Sequence, residues 1–287
     1  MVSTALPGSL VDIPTAGTPI IGTLYLPDGE PESVTIIHSA TATPQGFYRG
    51  FAQHLAGHGI AALTYDYRGT GHSGPSKLFP DLRMRDWLTV DMPTVTRWAQ
   101  NRFDSIPITA VGHSIGGHGL AMGSGLGIVD RFILAAAHIA YTPDIPSFTE
   151  QLRVKALLNW VGPTIASSLG YMPSRKLGLG EDLPTNVLIE WASWTKLSGF
   201  LYDDPTLGAG RLMPRIDADV LCVAATDDLW ATPEQAAKLG TMLTNARVTN
   251  QFYSPADLGI SSLGHHGIFH RKKGKQIWED MADWLSS

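Results

Sequence analysis

Gly112-His113-Ser114-Ile115-Gly116-Gly117 is the stretch from which the rest of this chain can be read. Ahead of it, behind Pro107, runs Ile108-Thr109-Ala110-Val111, an apolar segment that reads as a buried strand; after it His118-Gly119-Leu120-Ala121-Met122 opens a helix rich in small residues. A serine at the tip of a sharp strand-to-helix turn is the context that gives a G-x-S-x-G match its meaning. The backbone at such a serine is strained, so the positions two before and two after it must leave room for the chain, and both are glycine. The turn also sets the serine beside a helix N-terminus, whose unpaired N–H groups favour an oxyanion. Ser114 is therefore the candidate nucleophile, set against the plainer reading of a glycine-rich turn with an incidental serine.

Outward from this centre, strands and helices alternate. Leu10–Pro14 and Ile20–Pro27 read as two strands joined by Ala16-Gly17-Thr18, followed by buried strands at Val34–His38 and Ile60–Tyr65 with a helix from Phe47 to His58 between them. Asp86 to Arg102 reads as a helix with Trp87, Val90, Val95 and Trp98 inward and Pro93 near its start or kinking it. Arg131–Ala137 is the strand after the elbow helix. From Tyr141 to about Asp217 the alternation stops: helical segments and prolines recur, and no strand stands out. It resumes with a strand at Asp219–Ala225, a helix from near Pro233, a strand through Val248 to Tyr253 and a last helix from Gly274 to Leu285. This order predicts an α/β fold with a mostly parallel sheet and helices on both faces. Residues 1–140 and 218–287 form its core, and 141–217 form a helical cap inserted above the sheet.

The function classes that composition excludes are few but useful. With 44% hydrophobic and 16% charged residues the chain of 287 is a well-buried globular protein, and a net charge of -5 without a basic run argues against nucleic acid as a partner. Cys222, the one cysteine, sits in the apolar run Val220–Ala224 and reads as a buried strand residue, so nothing points to an oxidising compartment. Met1 to Ile13 show neither a basic start nor an apolar core, and no apolar run reaches membrane length. The expectation is a cytoplasmic protein with a small-molecule substrate and no cofactor or metal. Its oligomeric state is left open, a homodimer included.

A serine hydroxyl needs a base, and the base a carboxylate to orient it; after a nucleophile elbow the chain order is serine, acid, histidine. The strand after the insertion ends in Ala225-Thr226-Asp227-Asp228. Asp228 is favoured as the acid on its spacing to the helix that follows; Asp227 is the alternate, and the one not used caps the helix or the turn. In Leu263-Gly264-His265-His266-Gly267-Ile268-Phe269-His270, His265 is the candidate base and His266 the alternate. The same histidines read less well as a metal site, since two glycines stand at turn positions and no carboxylate is near. His113 and His118, flanking the elbow, read as local packing or hydrogen-bonding residues. The oxyanion donors are assigned to the backbone N–H groups of Ile115 and Ala40, with Thr41 as the alternate to Ala40. Trp160, Trp191 and Trp194 are candidate pocket residues in the insertion, which implies hydrophobic acyl or aromatic substrates.

Several of these segments together resemble the α/β-hydrolase superfamily, and within it a bacterial subgroup known as predicted α/β hydrolases. The resemblance is carried by Ala40-Thr41 with Pro44-Gln45-Gly46-Phe47-Tyr48, by Tyr65-Asp66-Tyr67-Arg68-Gly69-Thr70-Gly71-His72-Ser73, and by Gly112 to Gly117. Leu169–Pro173, Leu183-Pro184, Asp227-Asp228 and Gly264-His265 extend it. Ser39 and Ala42 depart from it, at positions where the subgroup tends to have proline and glycine. The resemblance implies a serine–acid–histidine site acting by acyl transfer on an ester or thioester, with Asp66 and Arg68 tying loops together. It leaves open an acyltransferase or cyclising enzyme on the same triad, and a ligand-binding protein on this fold.

Overall fold

Along the buried strands, successive side chains go to opposite faces of one sheet, as the period of two requires. Ile36, Ala110, Phe132, Leu134, Val220 and Cys222 enter one core, while Ile37, Val111, Ile133, Leu221 and Val223 enter a second on the other face. The computed structural model describes residues 7–287, so the reading of Met1 to Ile13 as lacking a leader lies partly outside the described residues. The strands are β1 (Gly8–Ile13), β2 (Ile20–Tyr25), β3 (Ser33–His38), β4 (Ile60–Tyr65), β5 (Ile108–His113) and β6 (Val129–Ala135). Next come a short pair, β7 (Tyr171–Met172) and β8 (Leu183–Pro184), then β9 (Asp219–Ala225) and β10 (Arg247–Tyr253). Eight of them form one sheet in the order β1-β2-β4-β3-β5-β6-β9-β10. β1 and β2 run antiparallel to their neighbours, and every pairing from β4 to β10 is parallel.

Helices cover both faces. Arg49–Gly57 and Lys275–Ser286 bury Phe51, Leu55, Trp278 and Met281 in the second core; Met92–Arg102, Ile115–Ala121 and Pro233–Thr241 bury Val95, Leu120 and Leu239 in the first. Each such side chain contributes about 1.5–3 kcal/mol through burial. The register sets His38 opposite Gly112, and His113 opposite Ala135, which lies opposite Val223. The loops after β3, β5, β6 and β9 therefore crowd one edge of the sheet, where ligands of open α/β sheets bind.

The helix expected over 86–102 runs from Met84 to Arg102, with a π-helical turn at Trp87–Asp91 ahead of Pro93. Proline lacks an N–H and its ring collides with the carbonyl four residues back; the wider turn moves that carbonyl away. The extra residue in the turn shifts the phase of the helix, so Trp87 and Val95 are buried as expected but Val90 is exposed. A second π-helical turn, Leu157–Val161, precedes Pro163 in the same way. Between β6 and β9 the chain is helical at Phe148–Ala156, Gly162–Leu169 and Thr185–Trp194. It also carries the antiparallel β7–β8 pair, which two-residue strands had left invisible to periodicity. No described helix is long and apolar enough to cross a membrane.

Candidate active site

Ser114 has φ +52° and ψ −115°, a strained backbone for a residue with a Cβ. The neighbouring glycines make that turn feasible. A Cβ on Gly112 would stand 2.4 Å from the nitrogen of Gly117, and one on Gly116 would stand 2.3 Å from the carbonyl oxygen of His38. The helix Ile115–Ala121 begins directly after the serine, one residue past the tip of the turn.

The two aspartates divide the work. The Nδ1–H of His265 donates to Oδ2 of Asp228 at 2.7 Å, while Oδ1 of Asp228 accepts from the backbone N–H groups of Trp230 and Ala231 at 2.8 and 3.1 Å. Burial by itself pushes the Asp228 carboxyl up, but the charge and hydrogen bond of His265, with His138 and the Trp230 N–H, hold it well below the usual carboxylate range. Asp227 turns the other way and accepts from the N–H groups of Leu263 and Gly264 at 3.0 and 2.9 Å, which caps the loop that presents His265. With Nδ1–H given to Asp228, the His265 ring keeps Nε2 as its acceptor. Ser114 and His265 line one cavity. His266, the alternate, points Nε2 at the Thr43 hydroxyl 3.3 Å away, and burial followed by the His265 charge pushes it down to about 4. The three histidines of this loop thus face separate partners, since His270 Nδ1 accepts from the Lys272 N–H.

One assignment from the sequence is corrected. The N–H of Ala40 donates to the hydroxyl of Tyr48 at 2.8 Å, so it is not available to an oxyanion. Thr41, the alternate, lines the cavity with Ser114. Ala42 has φ +55°, so the chain here takes the left-handed turn that the glycine of the resembled subgroup would take without cost. Tyr48 belongs to a chain of hydrogen bonds that sequence reasoning missed. Its hydroxyl lies 2.8 Å from His113 Nδ1, and His113 Nε2 lies 2.9 Å from the carbonyl oxygen of His265. A carbonyl only accepts, so Nε2 of His113 carries the hydrogen, Nδ1 accepts from Tyr48, and the Tyr48 oxygen accepts from Ala40. Burial, with the charges of His265 and His266, holds His113 well below its ordinary value and keeps the ring neutral. The residue before the nucleophile therefore joins the β3 loop to the histidine loop. His118 joins the elbow helix to the insertion, with Nδ1 2.9 Å from the Tyr202 hydroxyl. Asp66 and Arg68 tie loops as the resemblance implied: Asp66 accepts from the N–H and Nε2 of Gln45 and the N–H of His72, and Arg68 donates to Asp91 through both N–H and Nε.

A family comparison completes this picture. Residues 29–256 match the model of the family described as serine aminopeptidase, S33. The chain belongs to that family of α/β hydrolases. As a member of it, the chain is 30% identical over 101 residues to a monoacylglycerol lipase of Mycolicibacterium smegmatis, a match covering 35% of each chain, about a third of that relative's length. Among solved structures it resembles a soluble variant of monoglyceride lipase from Saccharomyces cerevisiae in complex with a substrate analogue (TM-score 0.71, 15% identity, 99% of this chain and 96% of that one). It also resembles a thermostable carboxyl esterase from Bacillus coagulans in complex with glycerol (TM-score 0.65, 12% identity, 99% and 98%). At these identities the structures share the fold.

In this S33 family member the cavity beside Ser114 and His265 measures about 310 Å³. Leu157, Leu158, Met172, Leu179, Leu183 and Leu188 line it, all from 141–217. Of the three tryptophans expected there, only Trp191 faces it. Trp160 is 68% exposed, because the π-helical turn swings it outward. Trp194 is buried elsewhere, its Nε1–H donating to Asp204 at 2.9 Å and its ring packing on Phe200. Trp230, two residues after Asp228, was not expected in the pocket. It lines the cavity, its ring centroid 6.0 Å from that of His265, and its Nε1–H donates to Glu150 at 2.7 Å. A narrower space of about 30 Å³, also lined by Ser114, is walled by His118, His138, Tyr141, Thr142, Asp144 and Gln235.

Proposed function

We propose that this chain is a serine hydrolase of carboxylic esters, and that its acyl group is apolar and of medium length. The observation that carries the reading is the single cavity in which Ser114 and the Asp228-oriented His265 meet a wall of leucines. In this reading His265 Nε2 takes the proton of Ser114 as its hydroxyl attacks the ester carbonyl, and Asp228 stabilises the imidazolium that forms. The N–H groups of Ile115 and Thr41 hold the oxyanion. Collapse of that intermediate expels the alcohol, which takes its proton from His265; water, activated by the same base, then releases the acid. Segment 141–217 acts as the cap that excludes water and grips the acyl chain. About 310 Å³ lies near the lower end of small-molecule sites, which favours medium over long chains.

The family's description suggests peptide cleavage as a second reading. An aminopeptidase must anchor an α-ammonium; no aspartate or glutamate is among the residues lining the larger, leucine-walled cavity, and the one carboxylate lining either space, Asp144, borders the one of only about 30 Å³. That favours the ester. The relatives named monoacylglycerol lipases make monoacylglycerols natural test substrates alongside simple alkyl esters. Purified protein should be labelled by a fluorophosphonate at Ser114 and should hydrolyse medium-chain esters faster than acetyl or long-chain ones. Amino-acid anilides turned over faster than every ester, or labelling that persists in Ser114→Ala, would overturn the reading.

A further inference from the structure

Well away from Ser114, the helix Arg49–Gly57 packs beside the C-terminal helix Lys275–Ser286, and three metal-binding side chains meet at their junction. His54 stands in the last turn of the first helix, His58 caps its C-terminus one turn on, and Glu279 reaches across from the second. We propose that His54, His58 and Glu279 form a site for a divalent transition-metal ion, zinc by the nature of the donors, that ties these two helices together.

The distances support it. Glu279 Oε2 lies 3.0 Å from His58 Nε2 and 3.6 Å from His54 Nε2, and all the donor atoms fall within 4.8 Å of one another. Around a tetrahedral zinc, with bonds of about 2.0–2.1 Å, donors stand roughly 3.3–3.4 Å apart. The exposed edges of His58 and Glu279 leave room for a water in the fourth position.

Hydrogen bonding sharpens the point. His58 Nδ1 lies 2.9 Å from the backbone carbonyl of His54, which can only accept, so Nδ1 carries the hydrogen. Nε2 then faces a carboxylate oxygen of Glu279 3.0 Å away, turned toward the same space. His54 Nε2 enters the same space buried and without a hydrogen-bond partner, 3.6 Å from the same carboxylate oxygen, where a metal ion would engage all three groups. The His58-to-carbonyl bond is also the outer contact by which metal-bound histidines are commonly held. Asp283, one turn beyond Glu279, adds its negative charge toward His54.

The test uses untagged, chelator-treated full-length protein titrated with Zn²⁺ by calorimetry and with Co²⁺ by visible absorption. One equivalent should bind with micromolar affinity, Co²⁺ should give the intense bands of a four-coordinate ion, and saturating Zn²⁺ should raise Tm by about 5 °C. Glu279→Gln, a conservative change at an exposed position, should weaken binding at least tenfold, and His58→Ala should abolish it, while His265→Ala should keep it. The proposal is overturned if Co²⁺ shows only the pale spectrum of the hydrated ion with no 1:1 saturation below millimolar concentration. It is equally overturned if the one-equivalent site survives both Glu279→Gln and His58→Ala or disappears in His265→Ala.

Discussion

Asp227 and Asp228 are adjacent in the chain and have different jobs because a strand end turns successive side chains in different directions. Asp228 faces the imidazole and Asp227 faces the backbone of the loop carrying it. Asp228→Asn should lower kcat on the order of 10³–10⁴-fold, since the amide cannot stabilise an imidazolium and favours the wrong tautomer. Asp227→Asn keeps one acceptor oxygen for two N–H groups, and a loss of about tenfold follows from a looser loop. Steady-state kinetics on one ester ranks the two, and equal losses would remove the distinction. Tyr48 offers a third residue-scale test. Tyr48→Phe strands the buried Ala40 N–H and His113 Nδ1, at about 1–3 kcal/mol of stability. Because Tyr48 positions loops and does not touch substrate, the variant should lose kcat and labelling rate about tenfold with KM little changed. A fall in Tm with no change in kcat would make Tyr48 a purely structural residue.

At the scale of elements, what the sequence revealed and what it hid divide along physical lines. Strands buried along their length, β3, β4, β5 and, after Asp219, β9, are legible as apolar runs, and so is the elbow between β5 and its helix. Ser114, His265 and Asp228 were legible as candidates because the proposed chemistry fixes their order along the chain. Ala40 was misread because its partner, the Tyr48 hydroxyl, is reached by folding of the β3 loop, and nothing in local pattern announces such a bond. Trp160 and Val90 were misplaced because they lie within π-helical turns, whose wider spacing takes their side chains out of a 3.6-residue phase. The pocket wall follows the same logic: Leu183 reaches it from a two-residue strand and Leu188 from the helix after it. Leu183→Trp should therefore fill the cavity and move the preferred ester toward shorter acyl chains, lowering kcat/KM for the medium-chain ester at least tenfold. Trp160→Ala, at an exposed position, should change kcat/KM less than twofold across the series. A chain-length profile left unmoved by Leu183→Trp would place the acyl chain elsewhere.

Across the whole molecule, the distribution of buried histidines makes stability depend on pH with a definite sign. His38 is pushed down by burial to about 3, and His138, by burial and the His265 charge, to about 4. His113 and His118 are held well below their ordinary value, again mainly by burial. Each is neutral when folded and titrates near 6.5 when the chain unfolds, so between those values the unfolded state binds more protons. The stability these groups confer is fully present above about pH 6.5 and is lost as pH falls toward 4, by up to about 1.4 kcal/mol per pH unit for each histidine. One group opposes them. Burial raises Asp91 to about 6 despite Arg68, so its contribution is present below its unfolded value and is lost as pH rises through 6. Asp228 does not enter this window, because its depressed carboxyl is ionised in both states down to about pH 4. Four histidines outweigh one aspartate. The Tm should therefore hold from pH 8 to 7 and fall steeply from 6.5 to 5, with net proton uptake on unfolding at pH 5.5. Calorimetric scans in buffers of different ionisation enthalpy measure both quantities. A Tm that stays level down to pH 5, or proton release on unfolding at pH 5.5, would mean that these histidines do not govern the acid limit of the fold.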